Sequence, residues 1–230
     1  MEPLTYIDTP FSEKFGTPKQ SLLIHEAWGK MTFPKSDFFT EAFRGIDKSS
    51  HLWLIFEFHQ VSESNIKALV RPPRFNGKEK WGVFATRSPH RPNRLGLSVV
   101  KFEKLVVGAN EIELWVSGVD LVSGTPILDI KPYVPYVDRV DSAKSEVFNG
   151  PGMTLVIWKI EAVLSLQEKS LIEKVVGLDP RPGHEKKNQE DYGISVGGFN
   201  IKFRMENGAF EIFECTKVEA SLYKSHPVKT

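Results

Sequence analysis

A single cysteine, Cys215, stands in the 230-residue chain. One cysteine forms no intramolecular disulfide and no cysteine-based zinc cluster, and a chain built without disulfides is expected in a reducing, cytoplasmic compartment. Cys215 lies in the apolar-alternating run 209–215, where a free cysteine reads as a small buried hydrophobe. Long hydrophobic runs are missing too. The longest, Leu52–Phe58, is interrupted by Glu57 and is far too short to cross a bilayer. Met1-Glu2-Pro3-Leu4 has neither the basic nor the apolar region of a signal peptide, so none is expected. Charge of one sign is scarce: 30 Lys and Arg against 29 Asp and Glu leave a net +1, so no global field draws the chain to a polyanion or a membrane. There is no G-x-G-x-x-G, no P-loop, no H-E-x-x-H and no C-x-x-C, and the six histidines show no metal-ligand spacing; no metal is expected.

What is present reads as mostly strand, on a length that suits one large domain or a medium domain with a small one. Leu4–Ile7 is a short apolar stretch stopped by Asp8-Thr9-Pro10. Ser36-Asp37 caps a short helix to Arg44, with Gly45 as its stop. His51–Val61 and Trp81–Ala85 read as strands, rich in aromatic and branched residues. Leu95–Val107 and Glu111–Val122 form a hairpin across Gly108-Ala109-Asn110, with Ile112, Leu114 and Val116 on one face of the second strand. Thr125–Lys131 follows. Antiparallel strands joined by short turns, with few helices between, predict a mainly β fold built on an antiparallel barrel. After a polar crossover at 138–152, Met153–Ile160 reads as a strand and Val163–Val176 as a helix closed by Gly177. Asp179-Pro180-Arg181-Pro182-Gly183 breaks the chain, and Asn207-Gly208 joins strands Phe199–Met205 and Ala209–Thr216 as a hairpin. The chain therefore divides at about 160/161 into the barrel, 1–160, and a small α+β C-terminal domain, 161–230.

Charge is concentrated in one place. Between Arg71 and Arg94 stand seven cations (Arg71, Arg74, Lys78, Lys80, Arg87, Arg91, Arg94) and one acid, Glu79. Guanidinium forks match phosphate geometry. Charge alone fits a solvated loop as well as a polyanion grip. Pro89 and Pro92 tip the balance, because a loop stiffened in advance loses less entropy when a ligand arrives. Gly96, inside a strand pattern, suggests close approach or a bulge. In Leu128-Asp129-Ile130-Lys131-Pro132-Tyr133-Val134-Pro135-Tyr136, Asp129 and Lys131 share one strand face, and the two tyrosines offer stacking surfaces for a base. His59-Gln60 closes the His51 strand, where Gln60 has the groups to bond a base edge or a ribose.

These strings together resemble the TrmO family, also called YaeB, VirR or TsaA-like proteins. The likeness runs through Ile7–Gln20, Ser50–Trp53 to His59-Gln60, Val70–Arg74, Gly82–Ser98 with Ala85-Thr86-Arg87-Ser88-Pro89-His90-Arg91-Pro92-Asn93, and Asp120–Pro126 to Tyr136 with Asp129-Ile130-Lys131-Pro132-Tyr133. It continues through Asp179–Pro182, Tyr192-Gly193 and Phe199–Arg204. The resemblance implies a TsaA-like β-barrel that uses S-adenosyl-L-methionine to methylate N6 of N6-threonylcarbamoyladenosine beside the tRNA anticodon, acting as a cytoplasmic homodimer. Carried over by motif, Gln20, Ser21, Leu22, His59, Gln60, Arg87, Leu97, Val122, Ser123, Gly124 and Thr125 would touch the cofactor. Ser123 stands where relatives often have Asp, and His184 where they often have an aromatic residue. Catalytic roles fall to Arg87 or Lys131, stabilising charge on the carbamoyl oxygen or the substrate carboxylate, and to Asp129, orienting Lys131 or accepting the proton. Arg71, Arg74, Arg91, Arg94, Tyr133, Tyr136, Arg181, Lys202 and Arg204 would contact tRNA. A non-catalytic RNA-binding barrel, or a methyltransferase for another RNA or small molecule, shares many of these features.

Overall fold

The computed structural model describes residues 1–71, 79–145, 150–181 and 190–218. In chain order the elements are β1 (Thr5–Asp8), β2 (Trp28–Pro34), α1 (Asp37–Ala42), β3 (His51–Glu57), β4 (Leu69–Val70), β5 (Trp81–Gly82), β6 (Leu95–Val107), β7 (Glu111–Ser117), β8 (Thr125–Pro132) and α2 (Pro135–Asp138). They continue with β9 (Val156–Trp158), α3 (Leu166–Gly177), β10 (Asp191–Val196), β11 (Phe199–Glu206) and β12 (Ala209–Lys217).

Six strands close into a barrel in the order β1-β2-β7-β6-β3-β8, every neighbouring pair antiparallel. Closure leaves no unpaired edge. Period-two alternation sets the inward face. Ile112, Leu114 and Val116 of β7 are fully buried, as are Leu52 and Leu54 of β3. Each such side chain contributes roughly 1.5–3 kcal/mol of burial. The β6–β7 hairpin forms where expected, with Gly108 N–H donating to the Glu111 carbonyl at 2.8 Å. Strand ends differ from the sequence reading. β3 stops at Glu57 and β7 at Ser117, because the apolar residues beyond them, Val61, Val119 and Leu121, are buried by rim loops rather than by ladders. The Trp81–Ala85 run keeps only a two-residue ladder and then coils into a 3₁₀ turn.

β2, left unassigned in the sequence reading, turns Gly29, Met31 and Phe33 inward. A Cβ at Gly29 would lie 2.7 Å from Ile7 Cδ1 and 2.8 Å from Val119 Cγ1. Only a glycine fits at this first inward position of β2. At Gly96 the close approach expected from sequence is real: a Cβ would stand 2.2 Å from Phe56 Cζ across the ladder.

The second sheet has the order β10-β11-β12-β9, and α3 accompanies it. β9 lies parallel to β12, so this sheet recruits the chain from Val156 onward. α3 starts later than the apolar spacing suggests, at Leu166, because Ser165 and Glu168 form a reciprocal capping box. It buries Leu171, Ile172, Val175 and Val176. The helix stops where Asp179 turns left-handed at φ 54°. Asn207 and Gly208, at φ 49° and 81°, make the two-residue turn between β11 and β12. The sheet is tied to the barrel: Gly197 N–H donates to the Pro10 carbonyl at 2.8 Å, and Glu26 accepts from Ser170 at 2.8 Å and from Lys174 at 2.5 and 2.7 Å. One apolar cluster runs through both, from Phe11 and Ile24 to Leu171 and Val196. Among the described residues no helix is long and apolar enough to cross a membrane, and no group of His, Cys, Asp and Glu is placed to hold a metal ion.

Candidate active site

Strands β1, β3 and β7 end at one rim of the barrel, and β2, β6 and β8 start from it. Three connections cross this rim: residues 9–27, 58–94 and 118–124. Every residue assigned to the cofactor through the family motifs lies on one of these connections or on the first turns of β6 and β8 that leave them. The barrel topology therefore gathers positions spread over a hundred residues of chain.

The rim is tightly laced. Gly118 leaves β7 with φ 77°, and a Cβ there would meet Leu22 Cδ2 at 2.7 Å and Leu22 Cα at 3.2 Å. Leu22 N–H donates to the Gly118 carbonyl at 2.8 Å, and Leu22 itself holds a left-handed φ of 62°. Such a conformation is uncommon for a residue with a side chain and clusters at functional sites. Ser123 N–H donates to the Phe11 carbonyl at 2.7 Å, Gly124 N–H to the Ile7 carbonyl at 2.8 Å, and the Thr125 hydroxyl to the Val122 carbonyl at 2.6 Å. The Ser123 hydroxyl accepts from Thr9 N–H at 3.3 Å. Both hydroxyls of Val122–Thr125 thus fasten the loop. His59 and Gln60 are exposed on the turn after β3, at the same rim.

A polar cluster forms where the three connections meet. The Arg87 guanidinium donates to the Gln20 side-chain carbonyl. The Asp120 carboxylate accepts from the Ser98 hydroxyl at 2.6 Å and from the backbone N–H of Ser21, with Arg87 close enough to act on it electrostatically. Ser98 is 3% exposed and points into the barrel, so it holds Asp120 from the interior. Burial pushes the Asp120 carboxyl up from its ordinary 3.8 to about 6, although Ser98, the backbone donors and Arg87 all pull the other way. Sequence reasoning missed Asp120 as a site residue. It opens the Asp120–Pro126 string, but nothing near it in sequence reveals that Ser98 and Arg87 will face it.

Leu97 stands on the opposite side of β6 from Ser98. It is 54% exposed on the outer wall, in register with Ile55, which in turn pairs with Asp129. Asp129 and Lys131 lie on that outer wall as well, as an ion pair of 2.8 Å with both side chains well exposed. Asp129 also accepts from Ile130 N–H at 2.9 Å. Tyr133 and Tyr136 sit at the other rim: Tyr133 N–H donates to the His51 carbonyl at 3.0 Å, its ring lies 5.8 Å from that of Trp53, and Tyr136 is 87% exposed.

Three of the arginines assigned to tRNA are engaged within the protein, and only Arg181 is buried. Arg181 is 5% exposed, held by both oxygens of Asp179 at 2.8 and 3.2 Å and lying over the Phe210 ring at 4.9 Å, so it braces the C-terminal sheet rather than facing a phosphate. Arg91 donates to the Thr86 and Ser88 carbonyls at 3.2 Å each. Arg94 donates to the Val61 carbonyl at 3.0 Å and pairs with Glu57 at 2.9 Å. Both help shape the loop, since one guanidinium has donors for several carbonyls. The loop owes its rigidity to these arginines as much as to Pro89 and Pro92. His90 is also committed, its Nδ1 bonded to the Asn65 carbonyl at 2.9 Å. Arg71 and Arg87 are exposed, while Lys202 pairs with Glu214 at 2.8 Å and Arg204 with Asp191 at 3.3 Å. Arg74 and His184 lie outside the described residues. Phe84, unremarked in the sequence, is 79% exposed three residues before Arg87.

Known proteins agree with this architecture along nearly its whole length. The tRNA-methyltransferase O N-terminal domain matches residues 6–139 and the TrmO C-terminal domain residues 156–218. A putative S-adenosylmethionine-dependent methyltransferase, RcsF, of Pseudomonas aeruginosa is 39% identical, with 87% of this chain and 90% of that protein aligned. A tRNA (adenine(37)-N6)-methyltransferase of Escherichia coli is 34% identical over 92% of this chain and 95% of its own. A crystal structure of TrmO from Pseudomonas aeruginosa superposes with a TM-score of 0.73 at 33% identity, covering 94% of this chain and 97% of the other.

Proposed function

The chain belongs to the TrmO family, and on that premise we propose that it transfers a methyl group to N6 of N6-threonylcarbamoyladenosine at position 37 of tRNA. The coarser activity goes with the family: the chain is an S-adenosylmethionine-dependent tRNA (adenine(37)-N6)-methyltransferase. The observation that carries the assignment of the site is the convergence of Gln20, Ser21, Arg87, Ser98 and Asp120 at one rim.

The donor set fits the cofactor. S-adenosylmethionine carries a carboxylate, an ammonium, a ribose diol and a sulfonium, and it supplies an already activated methyl group. The exposed Arg87 guanidinium at the rim offers a partner for its carboxylate, and the laced 118–125 loop offers fixed backbone edges. Gln20, Ser21, Leu22, His59, Gln60, Arg87, Leu97 and Val122–Thr125 would hold it. With the methyl group activated in advance, the protein's main task is to align the acceptor nitrogen and exclude water. Arg87 would stabilise charge on the carbamoyl oxygen or on the substrate carboxylate. Asp129, already 2.8 Å from Lys131, would orient that ammonium toward the same substrate. Phe84, with Tyr133 and Tyr136, offers apolar surface for bases. Exposed Arg71, with Arg74, Lys202 and Arg204, would meet phosphates, which position the tRNA without specifying its sequence. We take the working form to be a cytoplasmic homodimer.

Nucleoside mass spectrometry of tRNA from cells lacking the protein tests the substrate directly. Loss of the N6-methylated form of N6-threonylcarbamoyladenosine, restored by the gene, is expected; an unchanged nucleoside profile would overturn it. Binding of tRNA should weaken steeply with salt, as phosphate contacts require.

A further inference from the structure

We propose that Asp120 is the group that takes the N6 proton of the modified adenosine, with Ser98 and Ser21 holding its carboxylate and Arg87 balancing its charge. The inference rests on the methyltransferase reading above and names the base that reading needs. In N6-threonylcarbamoyladenosine the acceptor nitrogen lies between a purine ring and a carbonyl, so its lone pair is delocalised and its N–H is acidic. That nitrogen becomes a competent nucleophile as the proton leaves. The step balances without any further reactant. The N6–H bond breaks and its proton goes to an Asp120 carboxylate oxygen. The electron pair left on N6 makes the new N–CH₃ bond, while the S–CH₃ pair departs with sulfur.

Geometry separates Asp120 from the other acids and bases near the site. Asp129 is paired with Lys131 on the outer wall, Glu57 is paired with Arg94, and His90 Nδ1 is bonded to the Asn65 carbonyl. Asp120, partly buried, stands where the three rim connections meet. Ser98 holds it from inside the barrel and Ser21 from the first connection, and both contacts fix its orientation before substrate arrives. Arg87 is the charged group that faces it. A carboxylate raised to about 6 is ionised at neutral pH yet more basic than an ordinary aspartate, the compromise that a general base requires.

The test uses the full-length protein in two arms. In the first, the Asp120 carboxyl is titrated by ¹³C NMR in cofactor-free protein, with Asp120→Asn to assign the resonance. A midpoint near 6 is expected, moving upward in Ser98→Ala, where the hydroxyl donor is gone. A midpoint in the ordinary aspartate range overturns the inference whatever the substrate proves to be. In the second, single-turnover methylation of tRNA bearing N6-threonylcarbamoyladenosine is followed against pH, alongside calorimetric binding of S-adenosylmethionine. Wild type should rise through about pH 6 and level off. Asp120→Asn should lose at least about a hundredfold in rate while binding the cofactor within a few-fold of wild type, and Asp120→Glu should recover part of the rate. An active Asp120→Asn overturns the inference and leaves the methyltransferase reading intact. So does a loss of cofactor affinity equal to the loss of rate, which would make Asp120 a binding residue. A wild type inactive on this tRNA refutes the substrate reading instead.

Discussion

Asp120 and Asp129 are nine residues apart and occupy opposite kinds of surface. Asp120 sits on the laced rim, held by a buried hydroxyl and a backbone N–H, with its carboxyl raised to about 6. Asp129 sits on the outer wall of β8, well exposed, with Lys131 2.8 Å away. The difference teaches that residue type and motif membership nominate a carboxylate without telling its work. Enclosure makes an acid basic; exposure and a neighbouring ammonium make it half of an ion pair whose own energy is small. The arginines divide likewise. Arg91 and Arg94 are turned inward onto carbonyls, and Arg87, in the same loop, is left facing the site.

The comparison between rim and wall can be broken in four ways. The largest effect is expected at Arg87, which links Gln20 to Asp120: Arg87→Ala should lower kcat/KM by about two to three orders of magnitude, as loss of a charge-stabilising donor does. A fall of less than about tenfold in steady-state methylation would move the site away from the rim. Next comes the strand that carries both surfaces. Gly96→Val drives a side chain into the Phe56 ring and should cost about 3 kcal/mol in chemical denaturation, whereas Leu97→Ala, on the exposed face, should cost well under about 1 kcal/mol.

Third, Asp129→Ala and Lys131→Ala should each reduce turnover by about tenfold with cofactor affinity intact, as expected for groups acting on substrate charge. Near-normal turnover in both would take the outer wall out of the chemistry. The smallest effect is on stability. A carboxyl raised from 3.8 to about 6 binds its proton more tightly in the folded chain than in the unfolded one. Its contribution is therefore most favourable below about pH 4 and is lost as pH rises to about 6, at about 1.4 kcal/mol per unit. Asp120→Asn removes that cost but leaves Ser98 or Ser21 less well matched, so a net gain of about 1 kcal/mol at pH 8 is expected, absent at pH 4. Thermal melts at the two pH values measure it; an equal change at both would show that burial of charge is not the cause.

Sequence alone determined the class of the fold and the family the chain belongs to. Alternation at Ile112, Leu114 and Val116, the Gly108–Asn110 and Asn207-Gly208 turns, and the apolar spacing of α3 are local signals, each carried by a few adjacent residues, and each became the element it announced. The motif strings were long enough to mark the family, and they nominated both Gln20 and Arg87, which the fold brings into contact across 67 residues of chain. Other features depend on residues far apart in the chain. β2 packs closely because Gly29 fits against Ile7 and Val119, and β9 forms because β12 offers it an edge. The fate of each arginine was equally nonlocal: a guanidinium has the same sequence signature whether it grips a phosphate or a carbonyl, and only Asp179, Phe210 and the Thr86 and Ser88 carbonyls decide that Arg181 and Arg91 face inward. The decisive case is Asp120. Its basicity comes from desolvation, which outweighs the opposing pull of the Ser98 hydroxyl on β6, a balance that exists only once β6, β7 and the loops have met.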